Sequence, residues 1–232
     1  MFHSFIYQPL YNLFILLAVW LPFLDAGMIV ILFTFIVRII LFPLSKKAFL
    51  SQIEMRKLQP KLEEVKKRYA DNKEEQARKL MEAYKESKTN PFSGILVLFL
   101  QIPVILALYY ILIRAGLPNV DANLLYGFVS SPNTIDMTFF GFSLLSHKNV
   151  FFALLAGITS YIQIHISSAN QPPISSNEAL ARMMKVQMKV MFPIIAFIVS
   201  WQISGVVGLY WTASNIFTIL QDLYLKKKYS KN

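Results

Sequence analysis

Five stretches of this chain are apolar over about the twenty residues that a helix needs to cross the hydrocarbon core of a bilayer. They cover 26–45, 91–116, 148–168, 186–204 and 205–225. Inside hydrocarbon each backbone N–H and C=O must be satisfied within the protein, and a helix does this segment by segment. The pattern therefore predicts an all-α membrane protein with five transmembrane helices. Composition agrees, since 55% of the 232 residues are hydrophobic and 16% are charged, against about 25% charged in a soluble domain. The last two runs are joined by little more than Ser204-Gly205, which predicts a tight antiparallel pair. With no cysteine in the chain, disulfides, thiol catalysis, thiolate metal sites and a lipidated N-terminal Cys are excluded.

Two segments do not fit the spanning pattern. Residues 1–25 contain an apolar piece interrupted by Pro9, Asn12 and Pro22 and ended by Asp25-Ala26-Gly27. The basic leader and small-residue cleavage site of a signal peptide are missing, and there is little room for a turn before the next span. The segment reads as an amphipathic helix at the outer interface. Residues 46–90 are polar, with apolar residues at Phe49, Ile53, Leu58, Leu62, Val65 and Tyr69, then at Ala77, Leu80, Met81 and Tyr84. Those steps predict two amphipathic helices, with Asp71-Asn72 as the turn and Pro60 as a kink or break. The expectation is a helical hairpin projecting into the cytoplasm.

Charge sets the orientation. The net charge is +10, and nearly all of it falls in 46–90, the loop 169–185 and the tail 226–232. The other side, including the loop 117–147, has only Arg114 and Lys148 near its boundaries. By the positive-inside rule the N-terminus lies outside and the C-terminus in the cytoplasm, as for a multi-pass plasma-membrane protein. A bilayer accounts for this charge without sequence-specific nucleic-acid binding.

Arg38 is the most informative residue. It lies in Phe33-Thr34-Phe35-Ile36-Val37-Arg38-Ile39-Ile40, and a mid-span Arg costs about 2.5–3.5 kcal/mol on insertion scales. The bland reading is that it snorkels to the headgroups, since Pro43 is only about 8 Å away along the helix. The sharper reading is a water-filled groove, because other expected spans also carry polar groups: Gln101, Gln163, Ser214 and Asn215. Singly, each of these is an ordinary interhelical or backbone hydrogen-bonding residue, and Trp211 an interfacial anchor. As a set beside Arg38 they favour a shared polar groove.

Enzyme signatures are absent. The chain has no phosphate-binding glycine loop, and His3, His147 and His165 lack the spacing of a zincin helix. No span carries paired carboxylates. The reading is a non-enzymatic protein without metal or cofactor.

Several blocks, taken together, resemble the YidC family of membrane protein insertases. They are Thr34 to Leu44, Met55-Arg56-Lys57-Leu58-Gln59-Pro60-Lys61, Asn90-Pro91-Phe92, Gln101-Ile102-Pro103 with the residues through Tyr110, and Gly208-Leu209-Tyr210-Trp211-Thr212-Ala213-Ser214-Asn215. The resemblance implies a five-helix core, a cytoplasmic hairpin and a hydrophilic groove open to cytoplasm and lipid. It makes Arg38 the groove arginine and associates Thr34, Gln163 and Trp211 with the groove or substrate contact. It implies nascent membrane proteins as clients, with the ribosome, the signal recognition particle pathway and the Sec translocon as candidate partners. The chain departs from Gram-negative members in lacking a further N-terminal span and a large periplasmic domain. Two other classes remain open at this point: a small-solute or anion transporter with Arg38 as its site, and a non-translocating assembly scaffold.

Overall fold

The computed structural model describes residues 3–87, 104, 106–107, 110–111, 119–132, 135–140, 148–168 and 178–229. Nearly all of the expected span 91–116, including Gln101, lies outside the described residues, as does most of the loop 169–185. Regular structure among the described residues is helical.

The longest element, α2, runs from Ala26 to Arg68, 43 residues. At 1.5 Å per residue it is about 64 Å long, roughly twice the ~30 Å hydrocarbon core. Only its first part is apolar, so the second must leave the membrane. The boundary drawn at residue 45 is therefore not a break in the helix. Pro60, expected to kink or split it, sits inside continuous helix, as does Pro43. Packing explains the continuity around Pro60, because Met55, Leu58 and Leu62 on both sides of it are buried in one cluster.

The partner in that cluster is α3, Lys73–Glu86. Asn72 caps it by accepting from the Glu75 N–H at 3.1 Å, and Glu74 and Glu75 in the first turn complement the helix dipole. Gln76 donates to the carbonyls of Lys66 and Tyr69, and Lys61 pairs with Glu86 at 2.6 Å. Contacts between 66 and 76 and between 61 and 86 run α3 antiparallel to α2. Ala83 is buried against α2, with Leu80 and Tyr84 beside it, while Met81 stays 54% exposed.

Near the N-terminus, α1 spans Gln8–Trp20. A π-helical stretch, His3–Tyr7, leads directly into its 13 residues. Tyr11, Phe14, Ile15 and Leu17 are buried, with the Phe14 ring edge-on to Phe33 of α2. The buried side of α1 is mainly apolar, but it also takes in a polar residue. The polar residue Asn12 is on the buried side at 3% exposure, while Leu10, Leu13, Leu16 and Val19 are only partly buried. The backbone of an irregular segment explains this: Asn12 donates to the Leu124 carbonyl at 2.9 Å and accepts from the Tyr126 N–H at 2.7 Å. Tyr11 accepts from the Asp121 N–H. A buried side-chain amide is thus tied on both of its functions.

A second strap crosses the start of α2. Asp25 accepts from the Met28 N–H as N-cap and from the Phe140 N–H. The Ala26 and Gly27 N–H groups donate to the carbonyls of Asp136 and Thr138. The free amides of the first turn are therefore satisfied by loop backbone as well as by a cap. Gly27 is required there, since a Cβ would lie 2.2 Å from the Phe139 ring.

The remaining helices are α4 (Val150–Ser168), α5 (Glu178–Ile203) and α6 (Gly205–Tyr229), the last two separated by Ser204 alone. Among the described residues, three helices are long and apolar enough to cross a membrane: α2, α4 over Val150–Ser167, and α5 over Val186–Ile203. The chain is an integral membrane protein of helical fold. Helix α6, expected as the fifth span, is long enough at about 37 Å but too polar to be one of those three. Its side chains explain why.

Candidate functional site

Helices α4 and α6 meet along a seam of constant register. Gly208 of α6 lies on Phe152, where a Cβ would come within 2.8 Å of the Phe152 backbone. Seven residues on, Asn215 donates to the hydroxyls of Thr159 at 3.1 Å and Ser160 at 2.8 Å. Seven further on, the Asp222 carboxylate accepts from Ser167. These hydrogen-bonded pairs are 55 or 56 residues apart in sequence, so the two helices are parallel. A seven-residue spacing returns to the same face of a helix, and a small residue at its start lets the backbones approach. The seam is apolar at one end and polar along the rest.

The polar groups are ordered as well as close. Gln163 donates to Ser167 at 3.0 Å, and Ser167 donates to Asp222, so two successive donors lead to one carboxylate. Thr159 directs its own proton to the Leu155 carbonyl, which leaves its oxygen to accept from Asn215. Ser214 and Asn215 are 0% and 7% exposed and Asp222 is 8% exposed. Burial of this kind requires partners, and all three have them.

Arg38 approaches from α2. Its Nη2 donates to the Ser214 hydroxyl, and nearby the Phe35 ring is edge-on to Phe217. Further along, the Lys46 ammonium lies over the Tyr229 ring, so α2 and α6 run in the same direction. The Tyr229 hydroxyl and Lys46 are also hydrogen-bonded, which raises the Lys46 pKa and lowers that of the Tyr229 phenol. Arg38 thus reaches into the bundle rather than only along its own helix toward the headgroups.

The sequence-derived site residues are distributed as follows. Arg38 and Ser214 are in direct contact, and Asn215 is adjacent on α6. Gln163 is on the same α4–α6 seam but bonded within α4. Thr34 is 1% exposed, with its hydroxyl donating to its own helix at Val30. Trp211 is partly buried against the apolar core. Gln101 lies outside the described residues. Asp222, Thr159, Ser160 and Ser167 were not among the residues expected from the sequence. A signal was available: Thr159, Gln163 and Ser167 repeat every four residues, as do Ser214, Thr218 and Asp222. Two such polar ladders on apolar helices point to facing stripes. Among the described residues no group of three or more His, Cys, Asp or Glu is placed to hold a metal ion.

Comparison with known proteins places this architecture. The profile of the family described as 60Kd inner membrane protein matches residues 19–232. A protein of Fusobacterium nucleatum named membrane protein insertase YidC is 31% identical over 202 residues, covering 87% of this chain and 86% of that protein. Proteins of the same name from Nitrosococcus oceani and Stutzerimonas stutzeri are 33% and 31% identical over 205 and 231 residues. They share 87% and 97% of this chain, which spans only 33% and 36% of their own lengths. With the match extending over nearly the whole helical bundle, the chain belongs to the 60Kd inner membrane protein family, together with relatives named membrane protein insertase YidC.

Proposed function

We propose that this protein inserts other membrane proteins into the bilayer, with the Arg38–Ser214 contact and the α4–α6 seam forming one wall of a hydrophilic groove. The observation that carries the reading is Arg38, a charge in an apolar helix bonded to a buried hydroxyl on another helix. Polar lining lowers the cost of bringing a short hydrophilic segment part-way across the membrane. The client's apolar segment then moves into lipid, and its removal from water drives the step without nucleotide hydrolysis. Clients are nascent membrane proteins. The N-terminus lies outside, and the α2–α3 pair and basic C-terminal end lie in the cytoplasm, where Lys and Arg are favoured. Thr34, Gln163 and Trp211 contact the client, and Arg38 attracts acidic residues of its translocated tail, helped by the membrane potential.

The test is insertion of a single-span client with an acidic tail into vesicles containing the purified protein. Arg38→Ala should reduce insertion roughly tenfold, the scale of a partly desolvated charge contact, while Arg38→Lys retains most of it. Photocrosslinkers at Gln163 and Trp211 should capture the stalled client, and one at Ile194 should not. Full insertion by Arg38→Ala, with no capture at Gln163 or Trp211, would discard the groove.

A further inference from the structure

Asp222 is an acidic residue of the α4–α6 seam whose charge has no separate role in the reading above. It is 8% exposed, on the seam face of α6, with Ser167 donating to its carboxylate. All five ion pairs within 4 Å among the described residues lie on the second half of α2 and on α3, and none involves Asp222. The charges of Arg38 and Lys226 are felt at Asp222, but Arg38 is held at Ser214, eight residues earlier on α6. That separation is about 12 Å along the helix axis. The wall therefore carries a cation bonded at Ser214 and an anion on a residue nearer the basic end of α6.

Resting on the insertase reading, we propose that Asp222 is a specificity-determining residue that receives the basic residue flanking the client's membrane segment. A client whose tail is drawn toward Arg38 then has its opposite charge met by Asp222. The two stations define polarity as well as affinity, because a segment with reversed charges would meet like charge at both.

The experiment uses the full chain in vesicles of phosphatidylethanolamine and phosphatidylglycerol, with two clients that differ only in Lys or Gln at the flank. Asp222→Asn should lower insertion of the Lys client relative to the Gln client roughly threefold to fivefold, the range of one screened ion pair. Asp222→Glu should keep the wild-type preference. Asp222→Lys should invert it, inserting a Glu-flanked client better than the Lys client, which also shows that the variant is folded. An equal fall for both clients would make Asp222 a structural link between α4 and α6 and overturn the proposal, as would no change for either. Wild-type protein inserting no better than protein-free vesicles would remove the insertase reading itself, and this inference with it.

Discussion

Helices α5 and α6 are nearly the same length, adjoin at Ser204 and lie in the same bundle, yet they solve opposite problems. Over its apolar window α5 is only 11% buried, and Val190, Met191, Ile194, Ile195 and Ile198 are 42–50% exposed. α6 has an unbroken buried run from Gly205 to Tyr210 and buries Thr212, Ala213, Ser214 and Asn215 beyond it. The more apolar helix faces lipid and the more polar one is enclosed by protein. A soluble protein arranges this the other way round. In a bilayer the surroundings are as apolar as Leu, so polar groups are what must be gathered inside. Burial in this molecule therefore marks where side chains interact specifically, and exposure marks where they need only be compatible with lipid.

Substitutions on the two helices should differ sharply. The largest effect is expected at Gly208, where a new side chain would meet the backbone of Phe152, which cannot move aside as a flexible side-chain tip could. Gly208→Val should cost at least the ~1–3 kcal/mol typical of overpacking, visible as earlier unfolding in a denaturant titration in detergent. An unchanged midpoint would mean that the seam is looser than its geometry indicates.

An intermediate effect is expected at Asn215. Asn215→Leu removes two hydrogen bonds to α4 but leaves Thr159 its intrahelical acceptor. At about 0.6 kcal/mol per interhelical bond in a membrane, the loss should be near 1 kcal/mol in the same titration. The smallest effect is expected on α5, where Ile194→Leu exchanges one lipid-exposed apolar side chain for another. Its midpoint should stay within about 0.5 kcal/mol of wild type. A loss at Ile194 as large as that at Asn215 would abolish the contrast and point to a protein contact on the exposed face.

Much of the fold was legible because each signal was local. The apolar runs for α2, α4 and α5, the Ser204 join and the turn chemistry at Asn72 are properties of a few neighbouring residues. Local signals also misled where tertiary packing intervened. Of the kink or break expected at Pro60, the break does not occur, because the helix is packed against α3 on both sides of it. Asn12 reads as an interruption in an apolar helix, whereas it is the residue that holds the segment around Leu124 and Tyr126. In the α2–α3 cluster the periodicity identified Leu58, Leu62, Leu80 and Tyr84. It preferred Ile53 and Met81 to Met55 and Ala83, a choice that depends on the rotation of one helix against the other.

For the site, the sequence by itself determined which residues are costly in a membrane: Arg38, Gln163, Ser214 and Asn215 each stand out against an apolar background, because transfer cost belongs to the residue. Only the tertiary structure decided which of them meet. Arg38 touches Ser214 across 176 positions of sequence, and Asp222 finds Ser167 because the close approach at Gly208 brings α4 and α6 together in one register. Register between distant helices depends on shape over the whole contact, so it belongs to the packed bundle and not to any single stretch of chain.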